Sequence, residues 1–120
     1  MSIRERVAAL NAMVQAGKAM EAFEEFYADE IVMQENSNPE VAGKAANRQR
    51  EMEVYSAITE FRGATLLDTL VDGNRSASVW RFDYTHAQYG RMLFTQVALQ
   101  TWENGKVVRE RFFYDPTPQP

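Results

Sequence analysis

The sequence predicts an α+β domain in which helices cover one face of an antiparallel sheet. Apolar residues recur at helical spacing in the first half of the chain, whereas they alternate with polar residues in the second half. Two glycine-containing segments, "VDGN" and "ENGK", separate pairs of strand-like runs. Helices that precede a run of consecutive strands are typical of the α+β class.

Helices are predicted at three places in the first half. Ser2 with Glu5 matches the capping box of a helix start, and Gly17 is a typical helix end. The second helix directs four apolar side chains toward the core: Met20, Phe23, Phe26 and Tyr27. The third helix extends over residues 44–58 and has an inner stripe of Met52, Tyr55 and Ile58.

Strands are predicted on both sides of the third helix. A short apolar run over residues 31–35 ends in Glu35, and the loop "NSNPEVAG" follows it. Four further strands are predicted over residues 60–71, 75–86, 91–103 and 106–114. Asn104-Gly105 is a strong signal for a hairpin turn. The predicted order of elements is therefore α-α-β-α-β-β-β-β.

Length and composition limit the class of protein. We expect one domain over residues 1–115 and a C-terminal tail over residues 116–120. A net charge of −4 without a basic cluster argues against nucleic acid and anionic membranes as partners. The sequence contains no cysteine, no glycine-rich phosphate loop and no metal-ligand spacing, so we expect no cofactor. With no signal-peptide pattern and no membrane-spanning stretch, a cytoplasmic location is expected.

Several stretches together resemble a known superfamily. "WRFDYTH" followed by a strand and "NGKVVRERFFYD" is similar to the SnoaL-like polyketide cyclases, and "YADEIVMQEN" followed by "AG" is similar to ketosteroid isomerases. Both groups belong to the nuclear transport factor 2-like superfamily. The resemblance implies a curved mixed or antiparallel sheet wrapped around the three helices as a cone, with a deep pocket for a small hydrophobic molecule. It also implies a homodimer formed through the outer sheet face.

The resemblance decides which residues of each alternating strand face inward. Period two alone divides a strand into two faces without saying which is inner. The residues that the resemblance directs toward the cavity or the core are Trp80, Phe82, Tyr84, Gln96, Ala98, Gln100, Trp102, Glu110, Phe112 and Tyr114. With Tyr27, the aromatic residues and the two glutamines of this set are the candidate ligand-binding residues.

Three residues are candidates for acid/base catalysis: Glu35, His86 and Glu110. The resemblance puts Glu35 where the isomerases keep their proton-shuttling carboxylate, and a carboxyl at an apolar cavity can exchange protons near neutrality. The alternative for Glu35 is a solvent-facing strand end. Glu110 is either a pocket acid or the partner of an arginine, and His86 is either an acid/base group or a rim residue.

Other site candidates have simpler alternatives. Gln96 and Gln100 either orient a ligand oxygen or bond each other and water. The aromatic residues form pocket wall or solid core. The isomerases hold the developing enolate with residues whose positions fall here on Leu10 and Ala98, which cannot donate a hydrogen bond. Phe112 likewise replaces the acid expected from limonene-epoxide-hydrolase relatives.

Two functions follow from these candidates. The first is cofactor-free acid/base chemistry, of isomerase, cyclase or hydrolase type, on a small hydrophobic molecule. The second is a non-catalytic protein of the same fold that carries a ligand or serves assembly. A cavity of several hundred Å³ with converging polar groups favours the first, and a cavity filled by aromatic rings favours the second.

Overall fold

The computed structural model describes residues 2–117, in which three helices and six strands form an α+β domain. The elements in chain order are α1 Ile3–Gln15, α2 Ala19–Phe26, β1 Tyr27–Glu35, β2 Val41–Ala42, α3 Lys44–Ser56, β3 Ile58–Asp72, β4 Arg75–His86, β5 Gly90–Glu103 and β6 Lys106–Phe113. The predicted class, with three helices and a mixed sheet, is confirmed. Residues 118–120 of the predicted tail lie outside the described residues.

One open mixed sheet contains all the strands of the described residues. Its strand order is β2-β1-β6-β5-β4-β3, with β1 parallel to β6 and every other neighbouring pair antiparallel. Three register shifts interrupt the pairing of β3 with β4. Such irregularities bend a strand and increase its twist, so they help the sheet to curve around the helices.

The first two helices close one end of this sheet. The predicted capping box of α1 is present, because Ser2 Oγ accepts from Glu5 N and Glu5 Oε1 accepts from Ser2 N, both at 3.1 Å. Beyond α1, Gly17 has φ of +79°, which favours glycine and turns the chain into α2. The buried core here is formed by Val7, Leu10, Phe23, Phe26, Ile31, Met33, Trp102 and Val107. None of the helices within residues 2–117 is long and apolar enough to span a membrane.

The structure corrects three details of the predicted elements. Tyr27 ends α2 with an extended backbone and begins β1 opposite Val107, so the first strand starts four residues earlier than its apolar run. The loop after β1 contains β2, whose two residues pair with β1. The third helix ends at Ser56, and Met52 is 51% exposed rather than part of an inner stripe.

Alternation in the second half is as the resemblance implied, with even-numbered residues inward on β4 and β5. Ser76, Ser78 and Trp80 are buried on β4, as are Ala98 and Gln100 on β5. A register shift between β5 and β6 then brings both Val107 and Glu110 inward. The inner face is therefore continuous from the closed core beneath α1 and α2 to the open end of the sheet.

Candidate functional site

The helices and the inner face of the sheet enclose a cavity of about 510 Å³. A smaller cavity of about 90 Å³ adjoins it toward the core, and both are lined by Glu51, Phe82 and Gln96. The apolar wall of the larger cavity includes Val14, Met20, Val54, Ile58, Phe61, Phe82, Phe94 and Phe112. A space of this size suits a small organic molecule.

Two carboxylates and one guanidinium meet beside the larger cavity. Arg50 Nη1 on α3 lies 3.4 Å from Glu35 Oε1 at the end of β1, and Arg50 Nη2 lies 3.2 Å from Glu51 Oε1. Glu35 and Glu51 both line the cavity, with side chains 34% and 18% exposed. Two carboxylates that face the same cavity therefore share one positive charge.

The environment of these acids changes proton affinities. Burial raises the pKa of Glu51 to about 7, with Arg50 acting in the opposite direction and Glu35 adding to the increase. Burial and nearby carboxylates also raise the pKa of three tyrosines around the cavity: Tyr55, Tyr84 and Tyr114. The tyrosines thus remain neutral hydrogen-bond donors, whereas Glu51 exchanges protons near neutrality.

A second polar cluster lies at the floor of the smaller cavity, around Glu110. This side chain is 2% exposed, and its two carboxyl oxygens are each 2.5 Å from a partner, Tyr27 Oη and Gln100 Nε2. Burial raises the pKa of Glu110 to about 7, although both hydrogen bonds act to lower it. No arginine forms an ion pair with Glu110 in the described chain, so its charge depends on neutral donors.

The hydrogen bonds around Glu110 form a chain in which the donor and the acceptor of each bond are fixed. Trp102 Nε1, which can only donate, lies 3.0 Å from Ser76 Oγ, and Ser76 Oγ lies 2.9 Å from Gln100 Oε1. Ser76 must therefore donate to the carbonyl oxygen of Gln100. This contact turns the NH2 group of Gln100 toward Glu110. The chain fixes Glu110 Oε2 as an acceptor.

The structure brings most of the predicted site residues together around the two cavities. The residues that line the larger cavity are Glu35, Phe82, Tyr84, Gln96, Phe112 and Tyr114. The smaller cavity is lined by Tyr27, Trp80, Gln100 and Glu110, together with Phe82, Gln96 and Phe112. Leu10 and Ala98 also border the smaller cavity and, as expected from their side chains, offer no hydrogen bond.

Two predicted site residues lie elsewhere. Trp102 is a core residue, 1% exposed and in edge-to-face contact with Phe26, because α2 covers that end of β5. His86 is the last residue of β4, where its ring stacks on Tyr89 and its Nδ1 accepts from the backbone N–H of Gln88 in the following turn. Neither residue lines the two cavities, so neither is placed to contact a ligand there.

The sequence interpretation missed the charged site residues Arg50 and Glu51, and also Tyr55 and Phe94 in the lining of the larger cavity. Polar residues in a charged helix are normally assigned to the solvent-facing side. A signal was available, since Glu51 precedes Tyr55 by four residues and such pairs share a helix face. Within residues 2–117, no group of three or more His, Cys, Asp or Glu side chains is arranged to hold a metal ion.

Three helices against an open mixed sheet, with a cavity between them, define a fold class that the chain shares with a protein described as nuclear transport factor 2-like. Within this class the chain belongs to the SnoaL-like domain family, whose model matches residues 1–114. No curated protein sequence matches the chain.

Solved structures with the same fold are numerous, and three illustrate the range. A Mesorhizobium loti protein provisionally named a SnoaL-like polyketide cyclase, and also a carbohydrate phosphatase, has 30% identity, a TM-score of 0.87 and coverage of 95% of this chain and 100% of its own. A nuclear transport factor 2-like protein of unknown function from Burkholderia xenovorans has 21% identity, a TM-score of 0.75 and coverage of 98% and 87%. A provisionally named isomerase from Bacillus subtilis has 19% identity, a TM-score of 0.75 and coverage of 97% and 91%.

Proposed function

We propose that the chain binds a small, largely apolar molecule in the 510 Å³ cavity and catalyses a cofactor-free proton transfer on it. The observation that carries this proposal is the pair of carboxylates, Glu35 and Glu51, that share Arg50 at the cavity wall. Acid/base sites typically use two groups whose surroundings give them different proton affinities. The names of the cyclase and isomerase with the same fold agree with this reaction type.

The two carboxyl groups take different roles in this proposal. Glu35 is paired with Arg50 and partly exposed to the cavity, which suits a general base that removes a proton from a C–H or O–H group of the ligand. Burial raises the pKa of Glu51 to about 7, so a large fraction of Glu51 carries a proton at neutral pH and can return one to another ligand atom. Aromatic side chains on the opposite wall hold the ligand carbon skeleton.

The alternative is a carrier that binds its ligand without chemistry. The size of the cavity and the polar groups that converge on it favour the catalytic reading. We further propose that two copies associate through the outer face of the sheet. There Val79, Val97 and Phe113 lie in one row across three neighbouring strands.

The experiment uses the protein as it is purified. Molecules released by denaturation are identified by mass spectrometry, and an identified ligand is then incubated with fresh protein in D2O. We expect ligand hydrogens to exchange for deuterium, and Glu35→Gln should slow the exchange at least about 100-fold with little change in stability. Glu30→Gln, an exposed residue on the same strand, serves as the control. A ligand that binds without exchange indicates the carrier, and unchanged exchange in Glu35→Gln removes Glu35 from the mechanism.

A further inference from the structure

The hydrogen-bond chain at the floor of the smaller cavity favours one particular oxygen of Glu110 as the place for a proton. Oε2 accepts from Gln100 at 2.5 Å, and the donors behind Gln100 fix that direction. A proton on Glu110 is therefore favoured on Oε1, where Tyr27 Oη at 2.5 Å is available to accept it. The protonation state of Glu110 thus decides which of these two oxygens is the donor.

Tyr27 changes its role with that proton. When Glu110 is ionised, the hydroxyl hydrogen of Tyr27 is directed to Oε1 and is unavailable to the cavity. When Oε1 is protonated, Glu110 donates to Tyr27 Oη, and the hydroxyl hydrogen of Tyr27 is free to turn into the cavity that both residues line. Donation by Glu110 also polarises the tyrosine hydroxyl and makes it a stronger donor.

We propose that Tyr27 donates a hydrogen bond to an oxygen atom at the buried end of the ligand, and that it does so while Glu110 carries a proton on Oε1. This inference rests on the proposed ligand cavity and deepens it by naming the ligand class. The ligand has an apolar skeleton with a carbonyl oxygen, or another acceptor oxygen, at one end. The site supplies the donor that Leu10 and Ala98 do not provide.

Burial and charge support this assignment. The titratable and charged groups that face Glu110 are Tyr27 on β1 and Arg50, Glu51 and Tyr55 on α3. Burial raises the pKa of Glu110 to about 7, and burial is also the main reason that the pKa of Tyr27 lies well above its usual value. Tyr27 therefore stays neutral, while Glu110 changes state within a pH range in which binding is easily measured.

The test is the binding of 2-acetylnaphthalene, which has a carbonyl acceptor, compared with 2-ethylnaphthalene, which has none. We expect the ketone to bind the unmodified chain about tenfold more tightly at pH 5.5 than at pH 8.5, the effect of one hydrogen bond. The hydrocarbon should bind with the same affinity at both pH values. The ¹³C resonance of the bound carbonyl should also move downfield at the lower pH.

Two variants test the roles of Glu110 and Tyr27 separately. In Glu110→Gln, the amide oxygen accepts from Gln100 and the amide NH2 donates to Tyr27, so Tyr27 is held as a donor to the cavity. We expect tight ketone binding at both pH values in this variant and weak ketone binding at both in Tyr27→Phe. Glu51→Gln then identifies which of the two acids causes the pH dependence, because Glu51 also lines both cavities and has a pKa of about 7.

The proposal is overturned if ketone affinity in the unmodified chain does not depend on pH, or if the carbonyl resonance stays unchanged. It is also overturned if Glu51→Gln, rather than Glu110→Gln, removes the pH dependence. These binding measurements do not depend on any catalysed reaction. Failure of deuterium exchange would therefore refute the catalytic function and leave this result standing, whereas failure here would leave the roles of Glu35 and Glu51 intact.

Discussion

Glu35 and Glu51 share one guanidinium, with Arg50 Nη1 3.4 Å from the first carboxylate and Nη2 3.2 Å from the second. One carboxylate comes from the end of β1 and the other from the middle of α3, so the pair links the sheet to the helix that covers it. Two acids with one cation leave an excess of negative charge in a partly buried place. Burial first, and the neighbouring Glu35 carboxylate in addition, raise the pKa of Glu51 and so favour a proton on it.

Replacing the shared cation should increase this effect. In Arg50→Met the favourable charge next to Glu51 is lost, so we expect Glu51 to titrate about one pH unit higher or more. The measurement is a ¹³C NMR titration of the glutamate side-chain carboxyls. Arg48→Met is the matched control on the same helix, because Arg48 pairs at 2.8 Å with Glu24 outside the cavity. A Glu51 titration that is the same in both variants would contradict a shared cation.

Stability should fall as the pH rises from 5 to 8. Glu51 and Glu110 have pKa values of about 7 in the folded chain, compared with the ordinary value of 4.5. The folded state therefore binds more protons than the unfolded state between these values, and this stabilisation is lost as pH rises through 7. Each group contributes about 3 kcal/mol to the change.

Urea denaturation at pH 5 and pH 8 measures this change. Glu51→Gln combined with Glu110→Gln should flatten the dependence, because neither amide titrates. The carboxyls whose pKa is lowered, such as Glu24 and Asp83, act in the opposite direction but only at more acidic pH. A chain that becomes more stable from pH 5 to pH 8 would contradict the raised proton affinity of the two buried acids.

Structural features that depend on a fixed period or on local turn chemistry could be predicted from the sequence. The capping box of α1 depends on Ser2 and Glu5 alone, and it is present. The hairpin at Asn104-Gly105 also depends on local conformation, and both residues have the positive φ, 53° and 75°, that this turn requires. The inward direction of Trp80 followed from the family resemblance, because alternation alone leaves two choices of face.

The site was less predictable because its polar groups come from elements with weak patterns. Glu51 lies on a helix of mostly charged and polar residues, where an apolar stripe cannot mark the inner face. The sequence predicts Tyr27 as a core-facing residue of the second helix, and its ring does pack on that of Phe23 at 4.9 Å. Its extended backbone is set instead by pairing with β6, a contact between distant parts of the chain. Trp102 was predicted to bind ligand because alternation shows on which face of the sheet a residue lies. Alternation does not show that a helix covers that part of the face.

Asn47 holds the start of α3, and therefore Arg50, against the sheet. Its buried Nδ2 donates to the carbonyls of Val41 and Gly43, both at 2.9 Å. In Asn47→Ala both side-chain bonds are lost, whereas Gly43 O keeps its bond from the backbone N–H of residue 47, so we expect a loss of about 1–2 kcal/mol in the free energy of unfolding. Chemical denaturation measures the loss, with Gln49→Ala on the exposed face as control. Equal stability of the two variants would refute this role of Asn47.

The outer face of the sheet gives a prediction about assembly. Val97 lies between Val79 and Phe113 in a row of apolar side chains across β4, β5 and β6. Since Phe113 is 39% exposed in the single chain, covering this row would remove apolar surface from water. Val97→Lys would place an uncompensated charge at the centre of the contact, where burial of a charge is costly.

Light scattering during size-exclusion chromatography measures the mass in solution. We expect twice the chain mass of 13.8 kDa for the unmodified protein and the mass of one chain for Val97→Lys. Glu103→Lys adds the same side chain at the exposed end of the same strand and should remain dimeric. A single-chain mass for the unmodified protein at micromolar concentration would rule out this interface. If Val97→Lys remains dimeric, the contact between the two copies must lie on another surface.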